Sequence, residues 1–243
     1  DCNCYLVDYG GGLALVDTGL GMGAEVILQN IRGHGFDSKA LSHILLTHTH
    51  LGHWGGAPAL REETGAVIWA PADGAAKMED IESDETIAQN LKFGRWPKEL
   101  NPQSCTPDHV FGDNEQIELG RTVIRTIVVQ GHTKDSTCLL WEHNGRRALF
   151  TGDVVFYGGL LGVINSEGSS LADYRRDMPK LADLCIDMLL PAHSVFVLNH
   201  GQKHIDRALR KLADFVLPES FFEPNEFMWQ QDYAETLEDD PSV

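Results

Sequence analysis

Short apolar runs punctuated by glycine- and proline-rich turns, rather than long amphipathic stripes, set the pattern of this chain. Residues 4–8 and 13–17 flank Gly10-Gly11-Gly12 and predict a hairpin with a glycine turn. A helical stretch over about 23–31 follows, then a strand at 43–47, a helix from 54 to about 63 and a short strand at 67–69. Between about 71 and 113 the chain turns polar, with Pro97, Pro102 and Pro107, and reads as a helical and loop insertion suited to substrate contacts. Strand patterning returns at 117–119, 123–129, 137–141 and 148–151, with Asn144-Gly145 supplying a hairpin turn. A loop carrying Gly158, Gly159, Gly162 and Gly168 precedes a helix over about 171–184, a last strand at 188–190 and a last helix from 200 or 201 to about 215. Strands near both ends, helices between them and no repeat of fixed period predict an α+β fold of four layers, αββα, in one domain over 1–243 with a tail from about 217.

Composition narrows the setting. A chain of 243 residues that is 42% hydrophobic can bury a sizeable core. No apolar run approaches the ~20 residues that span a bilayer, so no membrane association is expected. The formal charge of −17 repels phosphate backbones and argues against a nucleic-acid partner, leaving a small-molecule substrate. The five cysteines, Cys2, Cys4, Cys105, Cys138 and Cys185, are odd in number and sparse, which points to a reducing, cytoplasmic setting rather than a disulfide framework. Cys2-Asn3-Cys4 is too closely spaced for the usual structural zinc pair and reads as two half-buried strand cysteines. The chain starts without methionine in what reads as a strand, and residues are expected to precede it.

The chemistry concentrates in Thr47-His48-Thr49-His50-Leu51-Gly52-His53-Trp54-Gly55-Gly56, directly after Ile44-Leu45-Leu46. Side chains two apart on extended chain share a face, so His48 and His50 point one way, while His53 falls on the first turn of a helix. Neutral imidazole suits zinc or iron. Three more ligand-capable residues follow apolar strands: His132 after 127–131, Asp153 after 148–152 and His193 after 189–192. Serine nucleophiles are poorly placed, since neither Ser136 nor Ser194 sits in a Gly-x-Ser-x-Gly elbow. Thr133 and Ser136 read as loop hydrogen-bonders.

On these residues the chain resembles the metallo-β-lactamase superfamily over nearly its whole length. The likeness is carried by Asp17-Thr18-Gly19, the histidine cluster, Gly131-His132-Thr133, Thr151-Gly152-Asp153 and Leu190-Pro191-Ala192-His193, in the family's order. The resemblance implies that His48, His50 and His132 hold a first metal, that His53 and His193 hold a second, and that Asp153 bridges the two. It implies the same αββα sandwich and hydrolysis by a metal-activated water, zinc being the expected metal and iron or manganese the alternatives. Asp153 and Asp17 are the carboxylates expected to serve the reaction, Asp17 by hydrogen-bonding a ligand histidine or its loop. The other reading of Asp17 is a turn residue before Thr18-Gly19.

One position departs from the family's His-x-His-x-Asp-His pattern: Gly52 stands where the aspartate is usual. The second site loses a carboxylate, so one firmly bound metal and a weakened second are expected. The expected reaction is cleavage of a carboxylic ester, lactone or thioester. β-Lactam hydrolysis, iron-dependent persulfide oxidation and a decayed binding or regulatory protein are the competing readings, and charge disfavours a nuclease. The tail, aromatic from Phe221 to Tyr233 and then acidic, reads as a lid, a homodimer contact or a packed extension ending in a frayed terminus. Tyr157, His143 and His200 are more often surface or core residues than substrate contacts.

Overall fold

Alternation along the strands assigns the layers. The computed structural model describes residues 1–214 and 217–222. In chain order its first half carries β1 (Tyr5–Asp8), β2 (Leu13–Val16), α1 (Ala24–Gly33), β3 (Leu41–Leu45), α2 (Leu51–Trp54), α3 (Ala57–Thr64), β4 (Val67–Pro71), α4 (Ala75–Glu79), α5 (Glu85–Lys92) and β5 (His109–Phe111). The second half carries β6 (Gln116–Leu119), β7 (Thr122–Val128), β8 (Thr137–His143), β9 (Arg146–Gly152), α6 (Leu171–Asp177), β10 (Met188–Pro191) and α7 (Gln202–Ala213). Strands β1 to β5 form one five-stranded sheet in sequence order, and β10-β9-β8-β7-β6 form the other.

Every residue of β2 is buried, because the sheet is covered on both faces. Leu13 and Leu15 join the helices of the first half with Leu28, Trp54 and Leu60, while Ala14 and Val16 face the second sheet. The second sheet repeats the division: Cys138, Leu140 and Leu149 pack with Tyr174, Met178 and Ile205 of the outer helical layer, while Leu139, Ala148 and Phe150 face inward. The period-two pattern therefore produces three apolar seams, one between the sheets and one under each helical layer, which is an αββα sandwich.

Several elements differ from the sequence pattern for local reasons. The helix expected over 54–63 is two pieces: it starts at Leu51 and breaks at Gly55-Gly56, where a Cβ would collide with the carbonyl oxygens of Leu20 and Thr18. The helix expected to reach 184 ends at Asp177, because Met178–Leu181 tightens into a 3-10 turn with Pro179 near its start, which cannot continue the α-helical hydrogen bonds. In the stretch 71–113, α4 and α5 are followed by β5, which adds a parallel edge strand beside β4 that no apolar alternation announced. Cys2 and Cys4 precede β1 rather than lying in it; both are half-buried, with sulfurs 3.9 Å apart. Among the described residues no helix is long and apolar enough to cross a membrane.

Candidate metal centre

The loops that follow β2, β3, β7, β9 and β10 converge at one end of the sandwich, and they carry Asp17, the 48–53 cluster, His132, Asp153 and His193. β7 and β9 both run antiparallel to β8, and β10 runs parallel to β9, so their carboxyl ends share an edge. The backbone N–H of Thr137 donates to Thr47 O at 2.9 Å and stitches the two sheets together beside the site.

The first trio is tightly drawn. His48 Nε2 lies 3.1 Å from His50 Nδ1, which lies 3.0 Å from His132 Nε2. The tautomers follow from the outer contacts. Thr47 Oγ1 donates its proton to Asp17 Oδ2, so the 3.2 Å contact at His48 Nδ1 is a donation from the ring. His132 Nδ1–H donates to Gly162 O at 2.6 Å. Both rings are thereby left with an Nε2 lone pair aimed at His50 Nδ1. Three nitrogens facing one another at this distance repel unless a proton or a cation lies among them.

His53, on the first turn of α2, is gripped at both ends. Its Nδ1–H donates to Asp17 Oδ2 at 3.0 Å, and its carbonyl accepts from Thr18 N and Thr18 Oγ1 at 2.6 and 3.0 Å. Asp17 holds this position at φ 58°, left-handed backbone that Asp tolerates better than most residues, and its Oδ1 also accepts from Thr47 N. His53 Nε2 is thus turned toward Asp153 Oδ2 at 3.5 Å, which is 3.4 Å from His132 Nε2; Asp153 Oδ1 is 3.4 Å from His193 Nε2. Asp153 Oδ1 is buried with no hydrogen-bond partner.

The sequence of residues 1–193 matches the family described as the Metallo-beta-lactamase superfamily. The chain belongs to that superfamily. Among its relatives, the lactamase-like protein adaB of Aspergillus niger is 29% identical over 79% of this chain and 49% of its own length. The acyl-coenzyme A thioesterase MBLAC2 of Bos taurus is 28% identical over 79% of this chain and 72% of its own. This chain thus spans about half the length of the Aspergillus relative. A solved metallo-β-lactamase of Cronobacter sakazakii shares the fold with a TM-score of 0.69 at 21% identity, covering 87% of this chain and 86% of that one.

A metal is the cofactor this superfamily implies, and the donors present fit one. The His–Asp separations of 3.4–3.5 Å are too long for good hydrogen bonds, which cluster at ~2.7–3.2 Å, but they suit ligands sharing a tetrahedral ion. Bonds of ~2.0–2.1 Å put neighbouring ligands of such an ion ~3.3–3.4 Å apart. The unpartnered Asp153 Oδ1 has the same explanation. Two triads of donor atoms, His48 with His50 and His132, and His48 with His53 and Asp153, each lie within 4.8 Å.

Burial holds His48 and His50 well below the ordinary imidazole range, with the neighbouring imidazoles adding to the effect, and it lowers His132 as well. These rings are thereby held toward the neutral form that a cation would need. Burial also pushes His53 down, but the Asp153 and Asp17 carboxylates outweigh it and hold that ring well above the usual value. For Asp153, burial is outweighed in turn by His53, and the carboxyl sits well below the carboxylate range.

Gly52 lies on α2, half-buried, and a Cβ built there meets nothing within 4 Å. Three supports went unmarked in the sequence. Buried Asp135 accepts from Thr49 N and Thr49 Oγ1, both at 2.8 Å, and so fixes the turn between His48 and His50. Tyr174 Oη donates to Asp153 O and accepts from Gly162 N. Cys2 Sγ groups with Asp17 and His53, and its contact with Cys4 and its burial push the thiol far up, keeping it neutral. The position of Asp135, two residues past Thr133, was the one available signal. Tyr157 packs against His204 and His143 against Trp141, away from these clusters, and His200 is exposed.

Proposed function

We propose that this chain is a metal-dependent hydrolase of carboxylic ester-type bonds, acting first on thioesters of small molecules and next on lactones and simple esters. The observation that carries the reading is the spacing around Asp153, whose oxygens stand at ligand-to-ligand rather than hydrogen-bond distance from His53, His132 and His193. His48, His50 and His132 are the ligands of a first cation, and His53 and His193 of a second, with Asp153 between them. Zinc is the first choice, with iron or manganese as alternatives. A cation held there supplies a Lewis acid that polarises the carbonyl and brings the pKa of water from about 15.7 to about 7.

The chain's own residues do the positioning. Gly162 O and Thr47 Oγ1 fix the tautomers of His132 and His48, and Asp17 fixes His53, so that each ring presents its Nε2 without rearrangement. In a centre with one cation, Asp153 Oδ1 is free to accept from and orient a water. The thioester preference draws on the relative named as an acyl-coenzyme A thioesterase. The formal charge of −17 supports a small-molecule substrate over nucleic acid, and the sparse cysteines support a reducing compartment.

The test is a panel of acyl thioesters, lactones and β-lactams assayed before and after chelation and metal return. Chelator-sensitive thioester turnover is expected. Metal-replete protein that turns over no activated ester would contradict the reading and favour a binding protein.

A further inference from the structure

Beyond the metal cage, the centre has an aromatic wall. After α7 the chain returns to the site, where Phe221 N donates to Leu161 O at 2.8 Å, Leu161 N to Glu219 O at 3.3 Å and Ser220 Oγ to Val163 O. The same short stretch, 161–163, presents Gly162 O to His132 Nδ1. One segment therefore fixes a candidate ligand on one side and this phenylalanine pair on the other. Phe222 lies nearly parallel to His132, with centroids 5.7 Å apart and 24° between planes. Phe221 lies nearly parallel to His193 at 6.1 Å and 12°, and it also stacks on buried Phe156 at 4.3 Å. Phe222 also meets His193 edge-on at 5.8 Å, so its ring spans both halves of the centre while Phe221 backs His193.

We propose that Phe221 and Phe222 form the surface that receives the apolar acyl group of the substrate, making Phe222 a residue that sets acyl specificity. The inference rests on the hydrolase reading above. Phe222 is 38% exposed, so part of its ring stays open at the centre for an apolar group to cover. A carbonyl reacting at the cage has two substituents. In a thioester of a phosphorylated, amide-bearing thiol, the thiol side is polar, and the acyl side is the one that gains from apolar contact. Hydrogen bonds to 161–163 make the wall a fixed surface rather than a flap.

The experiment is steady-state kinetics on a series of acyl thioesters of one thiol, from acetyl to long-chain, with metal content and thermal midpoint recorded for each protein. The wild type is expected to favour longer chains. Phe222→Ala should cut that long-to-short ratio of kcat/KM about tenfold, through a rise in KM that grows with chain length, with metal still bound, and Phe222→Leu should restore most of the ratio. An unchanged ratio in Phe222→Ala overturns the proposal. A tenfold loss uniform across chain lengths also overturns it, by showing a structural role. A wild type inactive on every thioester removes the hydrolase reading itself, and the proposal with it.

Discussion

The two halves of the centre are built from the same kinds of donor but differ in how finished they are. In the first, His48, His50 and His132 stand 3.0–3.1 Å apart in successive pairs, and burial already holds all three below the ordinary imidazole range. In the second, burial lowers His53 but Asp153 and Asp17 outweigh it and hold the ring well above that range, His193 is partly exposed, and a Cβ at Gly52, one residue before His53, meets nothing within 4 Å. The difference is one of protons. The first half offers imidazoles held toward their neutral form, whereas the carboxylates beside His53 favour its protonated form.

The largest effect should come from breaking the first half. His132→Ala removes one of three imidazoles, and losing the several kcal/mol a Lewis acid contributes lowers kcat/KM by about 10³-fold with loss of bound metal, read by kinetics and elemental analysis. Next, Asp17→Asn keeps a side chain that tolerates φ near 58° but removes the charge that orients His53. The second equivalent of metal should bind about 10–100-fold more weakly and the first should weaken less, because Asp17 touches His53 directly but His48 only through Thr47, as measured by competition with a chelator.

Acidity separates the halves in a third way. His53 is raised, so it carries its proton at neutral pH and sheds it only as pH rises through its own value; His48 and His50 are lowered and are already neutral at pH 6.5. Affinity for the second metal should therefore climb, by up to about tenfold per pH unit, as pH rises toward the raised His53 value and level off beyond it, with the first nearly flat. Calorimetry in buffers of different ionisation enthalpy should show proton release with the second equivalent, and equal slopes for both sites would erase the distinction. A smaller effect is expected at Asp135→Ala, which leaves Thr49 N and Oγ1 without their acceptor and should cost about 1–3 kcal/mol of stability by denaturant unfolding.

Much of this was readable along the chain because the signals were local. Leu13 to Val16 alternate between two seams, and each candidate ligand follows an apolar strand within a few residues, so fold class and donors could both be placed. What was not readable depended on contacts between distant segments. Asp135 reaches Thr49 across 86 residues, and its place two residues past Thr133 was its one local mark. Phe221 and Phe222 belonged to an aromatic run with a lid, a dimer contact and a packed extension as its readings; their seats on His193 and His132 exist because 219–221 pairs with 161–163, while residues 223–243 of that run lie outside the described part. β5 is a three-residue edge strand whose His109 and Val110 are exposed, so it carried no alternation to read.

The asymmetry itself can be measured in one step by counting metal per chain in protein purified without supplement, for the wild type and for Gly52→Asp. The account predicts about one firmly held equivalent in the wild type, rising toward two in the variant, because the added carboxylate enters open space beside His53. Two equivalents held equally tightly by the wild type, or no change on introducing the aspartate, would contradict it.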